Sequence, residues 1–151
     1  KTLLIIIAII VIIGLVVVWA LTKTQAPITL INIDKTDLIR LDSPKPNEVI
    51  SSPLVIKGQA RGNWYFEASF PVVLTDWDGR IIAQGVAQAK GDWMTTEFVP
   101  FEATITFTAD ANAYSNKGSL ILKKDNPSGL PANDNALEIP IVFGKAVVGG
   151  M

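Results

Sequence analysis

The sequence contains neither histidine nor cysteine. Without histidine, the side chain that most readily exchanges a proton near neutral pH is missing; without cysteine, so are the thiol nucleophile, thiolate metal sites, disulfides and a cysteine-linked lipid anchor. No spacing among Ser51, Ser52 and the acidic residues marks a serine or paired-carboxylate site, so no enzyme activity is expected. No asparagine opens an acceptor for N-glycosylation, since Asn126 is followed by Pro127. Residues 24–151 hold 11 basic and 14 acidic residues with no basic stripe, which argues against nucleic acid as a partner. Helical periodicity is missing after residue 22. A domain built from this chain must depend on its apolar core.

Apolar residues are abundant, at 49% of 151 residues with a mean hydropathy of +0.37, more than an ordinary soluble domain carries. Much of this sits in Leu3–Leu21, which has no charge and a single glycine, Gly14. As a helix rising about 1.5 Å per residue, the run spans roughly 28 Å, close to the hydrocarbon thickness of a bilayer. Residues 1–22 therefore read as a transmembrane anchor that meets the membrane through residues 3–21. A cleavable signal peptide ending at Val18-Trp19-Ala20 is the competing reading. Against it, the apolar run exceeds the roughly 7–15 residues of a signal-peptide core and has no polar break before the site. A pilin-type N-terminus would need an acidic residue near its start. Lys1 on one side and Lys23, Lys35 and Arg40 on the other give no charge bias. A single apolar segment ahead of an all-β domain nevertheless implies a single-pass protein of the cell membrane with an extracytoplasmic C-terminal domain. Residues 23–37 read as a linker, reaching about 50 Å when extended.

Short strands follow. Leu54–Ala60 places Leu54, Ile56, Gly58 and Ala60 on one face, and Phe101, Ala103, Ile105 and Phe107 alternate with polar neighbours. In Trp64–Leu74 every even position is apolar, which predicts one long strand kinked at Pro71. Asp76-Trp77-Asp78-Gly79 reads as a hairpin turn leading to a return strand over Ile81–Ala89. Leu120–Lys124 and Leu137–Phe143 complete the set. About seven strands predict an all-β, immunoglobulin-like Greek-key sandwich over residues 38–143, preceded by the transmembrane α-helix and followed by a flexible tail over 144–151.

Several blocks occur in an order that resembles one family: Ser43-Pro44, Ile50–Gly58, Trp64–Val72, Gly91–Thr95, Phe98–Phe101 and Lys124–Gly129. Together they cover about Leu38 to Phe143 and are similar to the immunoglobulin-like domain of bacterial spore-germination proteins. The resemblance implies an immunoglobulin-like fold in a bacterial cell-envelope protein, and no catalytic residues.

Trp64, Phe70, Trp93, Phe98 and Phe101 are large enough to fill a sandwich core. Glu67, flanked by aromatic residues, is costly to bury unless it meets donors, for which the Trp93–Thr95 amides or the Asn126 side chain are candidates. The binding candidates are Glu67, Trp93, Met94, Asn126 and Ser128, where aromatic or methionine surface adjoins polar groups. Asp76, Asp78, Asp125 and Asp134 would suit calcium only if their loops shared one end of the sandwich, and they lack an EF-hand spacing; no metal or cofactor is expected. The expected function is a membrane-tethered, non-catalytic module that binds another envelope protein or a cell-wall polymer. The alternative is a structural subunit of a surface assembly held together partly through its apolar helix.

Overall fold

The structure, a computed structural model, describes residues 35–144. The expected anchor over 1–22, most of the 23–37 linker and all of the 144–151 tail except Gly144 lie outside the described residues. Among the described residues no helix is long and apolar enough to cross a membrane. The described residues form eight strands: β1 (Ile39–Ser43), β2 (Val49–Ile50), β3 (Leu54–Arg61), β4 (Ser69–Asp76), β5 (Ile81–Ala89), β6 (Phe98–Ile105), β7 (Lys117–Lys123) and β8 (Ala136–Phe143).

Hydrogen bonds join the strands in the order β1-β3-β6-β5-β4-β7-β8-β2. The β5–β6 ladder is short, pairing Gln88 with Glu102 and Ala89 with Phe101, and is continued by the Lys90 amide bonding the Pro100 carbonyl at 2.8 Å. At that short link the ladder folds over into two layers, β1-β3-β6 and β5-β4-β7-β8-β2, as expected of an immunoglobulin-like sandwich. The count is eight where about seven were expected, because the first strand is split. Pro44 and Pro46 lack the amide hydrogens that a continuous ladder needs. The chain leaves β1, antiparallel to β3, and resumes as β2, parallel to β8.

The period-2 pattern explains the core. In β3 the residues Leu54, Ile56 and Ala60 are buried while Val55, Lys57 and Gln59 face solvent; in β6 Val99, Phe101, Ala103 and Ile105 point inward. Phe70, Val72 and Leu74 of β4 and Leu120 and Leu122 of β7 are fully buried against them. A fully buried side chain of this size contributes about 1.5–3 kcal/mol. The Phe70 and Phe101 rings meet edge to face at 4.9 Å, and Tyr65 packs on Phe70 at 5.3 Å. Tyr65 donates its hydroxyl hydrogen to the Val99 carbonyl at 2.7 Å, and burial pushes its phenol up to about 12. Gly58 leaves room for these rings, since a Cβ there would lie 2.2 Å from the Arg40 carbonyl oxygen and 2.7 Å from Phe101.

Trp64–Leu74 is not one strand. Trp64 closes a short 3-10 turn, Gly62–Trp64. Phe66 and Ser69 then exchange both backbone hydrogen bonds, at 3.0 and 3.1 Å, around a two-residue reversal, and β4 begins only at Ser69. A two-residue reversal pairs Phe66 with Ser69, three positions apart, so the inward face changes parity across it: Tyr65 is buried before the turn and Phe70 after it, although the even positions are apolar throughout. Trp64 and Phe70 are both buried, whereas Phe66 is 41% exposed.

The reversal holds Glu67 at φ 50° and Ala68 at φ 62°. Left-handed backbone costs a side-chain-bearing residue about 1–2 kcal/mol, and two-residue hairpin turns ordinarily use glycine or asparagine. The Ala68 carbonyl is fixed by the Ala89 amide at 2.8 Å, which anchors the turn to β5. Ala68→Gly is therefore expected to raise stability by about 1 kcal/mol, read as a higher midpoint in denaturant unfolding. A lower midpoint would mean that the turn is not under conformational strain.

Candidate functional site

Strand directions sort the connections into two groups. The β3–β4, β5–β6 and β7–β8 connections (62–68, 90–97 and 124–135) lie at the end where the chain enters, near Lys35 and Ala136. The β4–β5 hairpin, the β6–β7 connection (106–116) and the end of β8 lie at the opposite, distal end.

All five residues singled out from the sequence fall on the proximal connections. Glu67 is exposed at the turn, and neither the Trp93–Thr95 amides nor Asn126 bonds its carboxylate. Trp93 is half-buried against the core, and its carbonyl accepts from the Thr95 amide at 2.8 Å. Met94 is 77% exposed, with its amide bound to the Asp92 carboxylate. Asn126 donates to the Leu130 carbonyl at 2.9 Å and to Asp134 at 2.7 Å, and accepts from the Ser128 hydroxyl at 2.5 Å. Ser128 in turn accepts from the Leu130 amide and the Asn133 side chain. The polar groups of Asn126 and Ser128 are thus engaged in shaping their own loop. Asp76 and Asp78 stand at the distal end and Asp125 and Asp134 at the proximal one, so the four carboxylates do not converge, and no metal-binding cluster occurs among the described residues.

The distal end is organised by Asp76, the last residue of β4. One carboxylate oxygen accepts from the amides of Asp78 (3.0 Å) and Arg80 (2.9 Å); the other accepts from the Arg80 guanidinium Nε at 3.0 Å and lies 3.0 Å from its Nη2. Partial desolvation opposes ionisation of Asp76, but the two amides and the guanidinium outweigh it and hold its carboxyl below the ordinary value. With the hairpin fixed in this way, Trp77 at its tip is turned outward and is 47% exposed. Across from it stands Tyr114, 90% exposed, with ring centroids 5.4 Å apart and planes inclined by 52°.

The β6–β7 connection that carries Tyr114 is tied down at its base. The Phe143 amide donates to the Asn116 carbonyl at 2.7 Å, and Phe107 packs on Phe143 at 5.5 Å. Between this connection and the hairpin lies a cavity of about 490 Å³, walled by Ile82, Ala109, Ala111, Ala113 and Phe143 with Asp76, Arg80 and Asn116 at polar points. A second hollow of about 350 Å³, lined by Trp77, Tyr114, Lys117 and Ser119, adjoins it through Asp76 and Ser115. Cavities of this size that combine apolar walls with a few polar groups are the usual form of a small-ligand site. The signal for Trp77 was in the sequence, since a tryptophan between two aspartates at a hairpin tip has no core to enter. Tyr114, within Asn112-Ala113-Tyr114-Ser115-Asn116, carries the same signal.

Residues 38–129 match the family described as the immunoglobulin-like domain of bacterial spore germination. No curated protein and no solved structure matches the chain.

The lowered Asp76 carboxyl has a definite consequence for pH. A depressed folded-state value contributes stability that is fully present above the unfolded value of about 3.9 and is lost as pH falls through the folded value. Asp76→Asn is expected to melt below the wild type at neutral pH, with the gap closing as the pH falls beneath the ordinary aspartate range. A gap that stays constant across the acid titration would mean that the Asp76 charge does not support the hairpin.

Proposed function

The chain belongs to the family of immunoglobulin-like domains of bacterial spore germination, and from that premise we propose that it is a non-catalytic binding module of the cell envelope. In this reading residues 3–21 tether it to the membrane, the domain stands outside the cytoplasm, and the partner is another envelope protein or a cell-wall polymer. The observation that carries the proposal is the contrast between the two ends of the sandwich. At the end where the chain arrives from the proposed anchor, Asn126, Ser128, Asn133 and Asp134 of the β7–β8 connection have their polar groups bound to one another. The opposite end presents Trp77 and Tyr114 beside a cavity. A tethered module that recognises something beyond the membrane needs its recognition surface at the end remote from the tether. Exposed aromatic side chains next to fixed polar groups have the composition of binding hot spots.

The test is crosslinking of the intact chain in native membranes, comparing wild type with Trp77→Ala. Trp77 is an exposed turn residue, so the substitution is expected to shift stability by no more than about 0.5 kcal/mol while abolishing the principal crosslinked adduct. Adducts that persist in Trp77→Ala but vanish in Asn126→Ala, at unchanged melting temperature, would move the recognition surface to the proximal end.

A further inference from the structure

Resting on the distal end being the binding face, we propose that its ligand is an uncharged, N-acetylated glycan chain. The first ground is the ring pair. Trp77 and Tyr114 come from separate connections, lie 5.4 Å apart and both keep large exposed faces. Two inclined aromatic faces offer C–H contact to the apolar sides of successive pyranose rings while leaving the hydroxyl groups free for polar neighbours.

The second ground is charge. Around the two hollows Asp76 and Asp110 are matched by Arg80 and Lys117, and Asp76 is already engaged by Arg80. A site with no excess of either sign does not select a charged peptide or a phosphate polymer, whereas Ser115, Asn116 and Ser119 provide donors and acceptors suited to hydroxyl and amide groups.

The third ground is shape. The cavity beside the rings is walled by Ala109, Ala111, Ala113, Ile82 and Phe143, a methyl-lined recess of about 490 Å³. An acetamido methyl finds apolar contact there while its amide remains at the polar rim, and a sugar without that group leaves the recess unfilled. A protein partner would instead call for a broad patch of roughly 800 Å² with an apolar centre, whereas here the exposed rings border a concave hollow.

The experiment uses the intact chain in detergent micelles and follows the indole N–H resonances while chitotetraose, or maltotetraose as the glycan lacking acetamido groups, is added. Chitotetraose is expected to move the Trp77 resonance saturably and to leave those of Trp64 and Trp93 in place. Trp77→Ala and Tyr114→Ala, each checked for unchanged melting temperature, should weaken binding by about tenfold or more, Val55→Thr should leave it unchanged, and maltotetraose should bind about tenfold more weakly or not at all. A Trp77 resonance that stays still up to about 10 mM chitotetraose, beyond the millimolar range of weak ligands, overturns the glycan, as does binding that survives both aromatic substitutions. Equal binding of maltotetraose overturns the acetamido recess. If chitotetraose fails but the membrane adduct still depends on Trp77, the distal end remains the binding face and the glycan assignment falls. If neither depends on Trp77, both fall together.

Discussion

The edge-to-face contact between Phe70 and Phe101 is the junction on which the two layers depend. Backbone hydrogen bonds run mostly within each layer; the two residue pairs between β5 and β6, with the adjoining bond from the Lys90 amide to the Pro100 carbonyl, join one layer to the other. One of those pairs is Ala89 with Phe101, so the main ring contact sits where the ladder folds over. No disulfide backs this junction, and adhesion between the layers comes from burial of apolar surface. An aromatic pair adds about 0.5–1.5 kcal/mol beyond its buried area, a sizeable share of the roughly 5–15 kcal/mol that a domain has in total. Gly58 and Tyr65 serve the same junction, one by leaving room for Phe101 and the other by packing on Phe70 with its hydroxyl bound to Val99.

The two ends of the sandwich differ in how their loops are held. At the proximal end Arg40 and Arg61 both stack on the Phe98 ring, at 4.0 and 4.1 Å. Arg61 also reaches the carbonyls of Asp37 and Thr96, and the Asp125 amide bonds the Trp64 carbonyl. The proximal connections are thereby fastened to the sheets and to one another. The distal connections are fixed at their bases, by Asp76 in the hairpin and by Asn116 and Phe143 under the β6–β7 connection. Their aromatic tips are left facing solvent, and that arrangement supports a division between a structural end and a recognition end.

Much of the fold was legible because half-buried strands write their orientation into the chain. The alternation in β3 and in β6 and the Asp-Gly hairpin between β4 and β5 are local patterns, and local patterns survive without knowledge of the fold. The reversal at Glu67-Ala68 was not legible, since its residues are poor turn formers and the apolar even positions run through it as if one strand continued. Trp64, expected between the sheets, is fully buried, but from a 3-10 turn, and its indole N–H finds no acceptor among the described residues. The candidate site was the least legible part. Which loops share an end depends on strand direction and pairing, and residues such as Trp77 and Tyr114 meet only after β4, β5, β6 and β7 are assembled.

The central claim is that recognition belongs to the distal end. Hydrogen–deuterium exchange on the intact chain tests it most directly, comparing chain held in native envelope membranes with chain purified into micelles. The account predicts that the envelope slows exchange at residues 76–80 and 108–116 and leaves 62–68, 90–97 and 124–135 unchanged. Protection confined to the three proximal connections would contradict it.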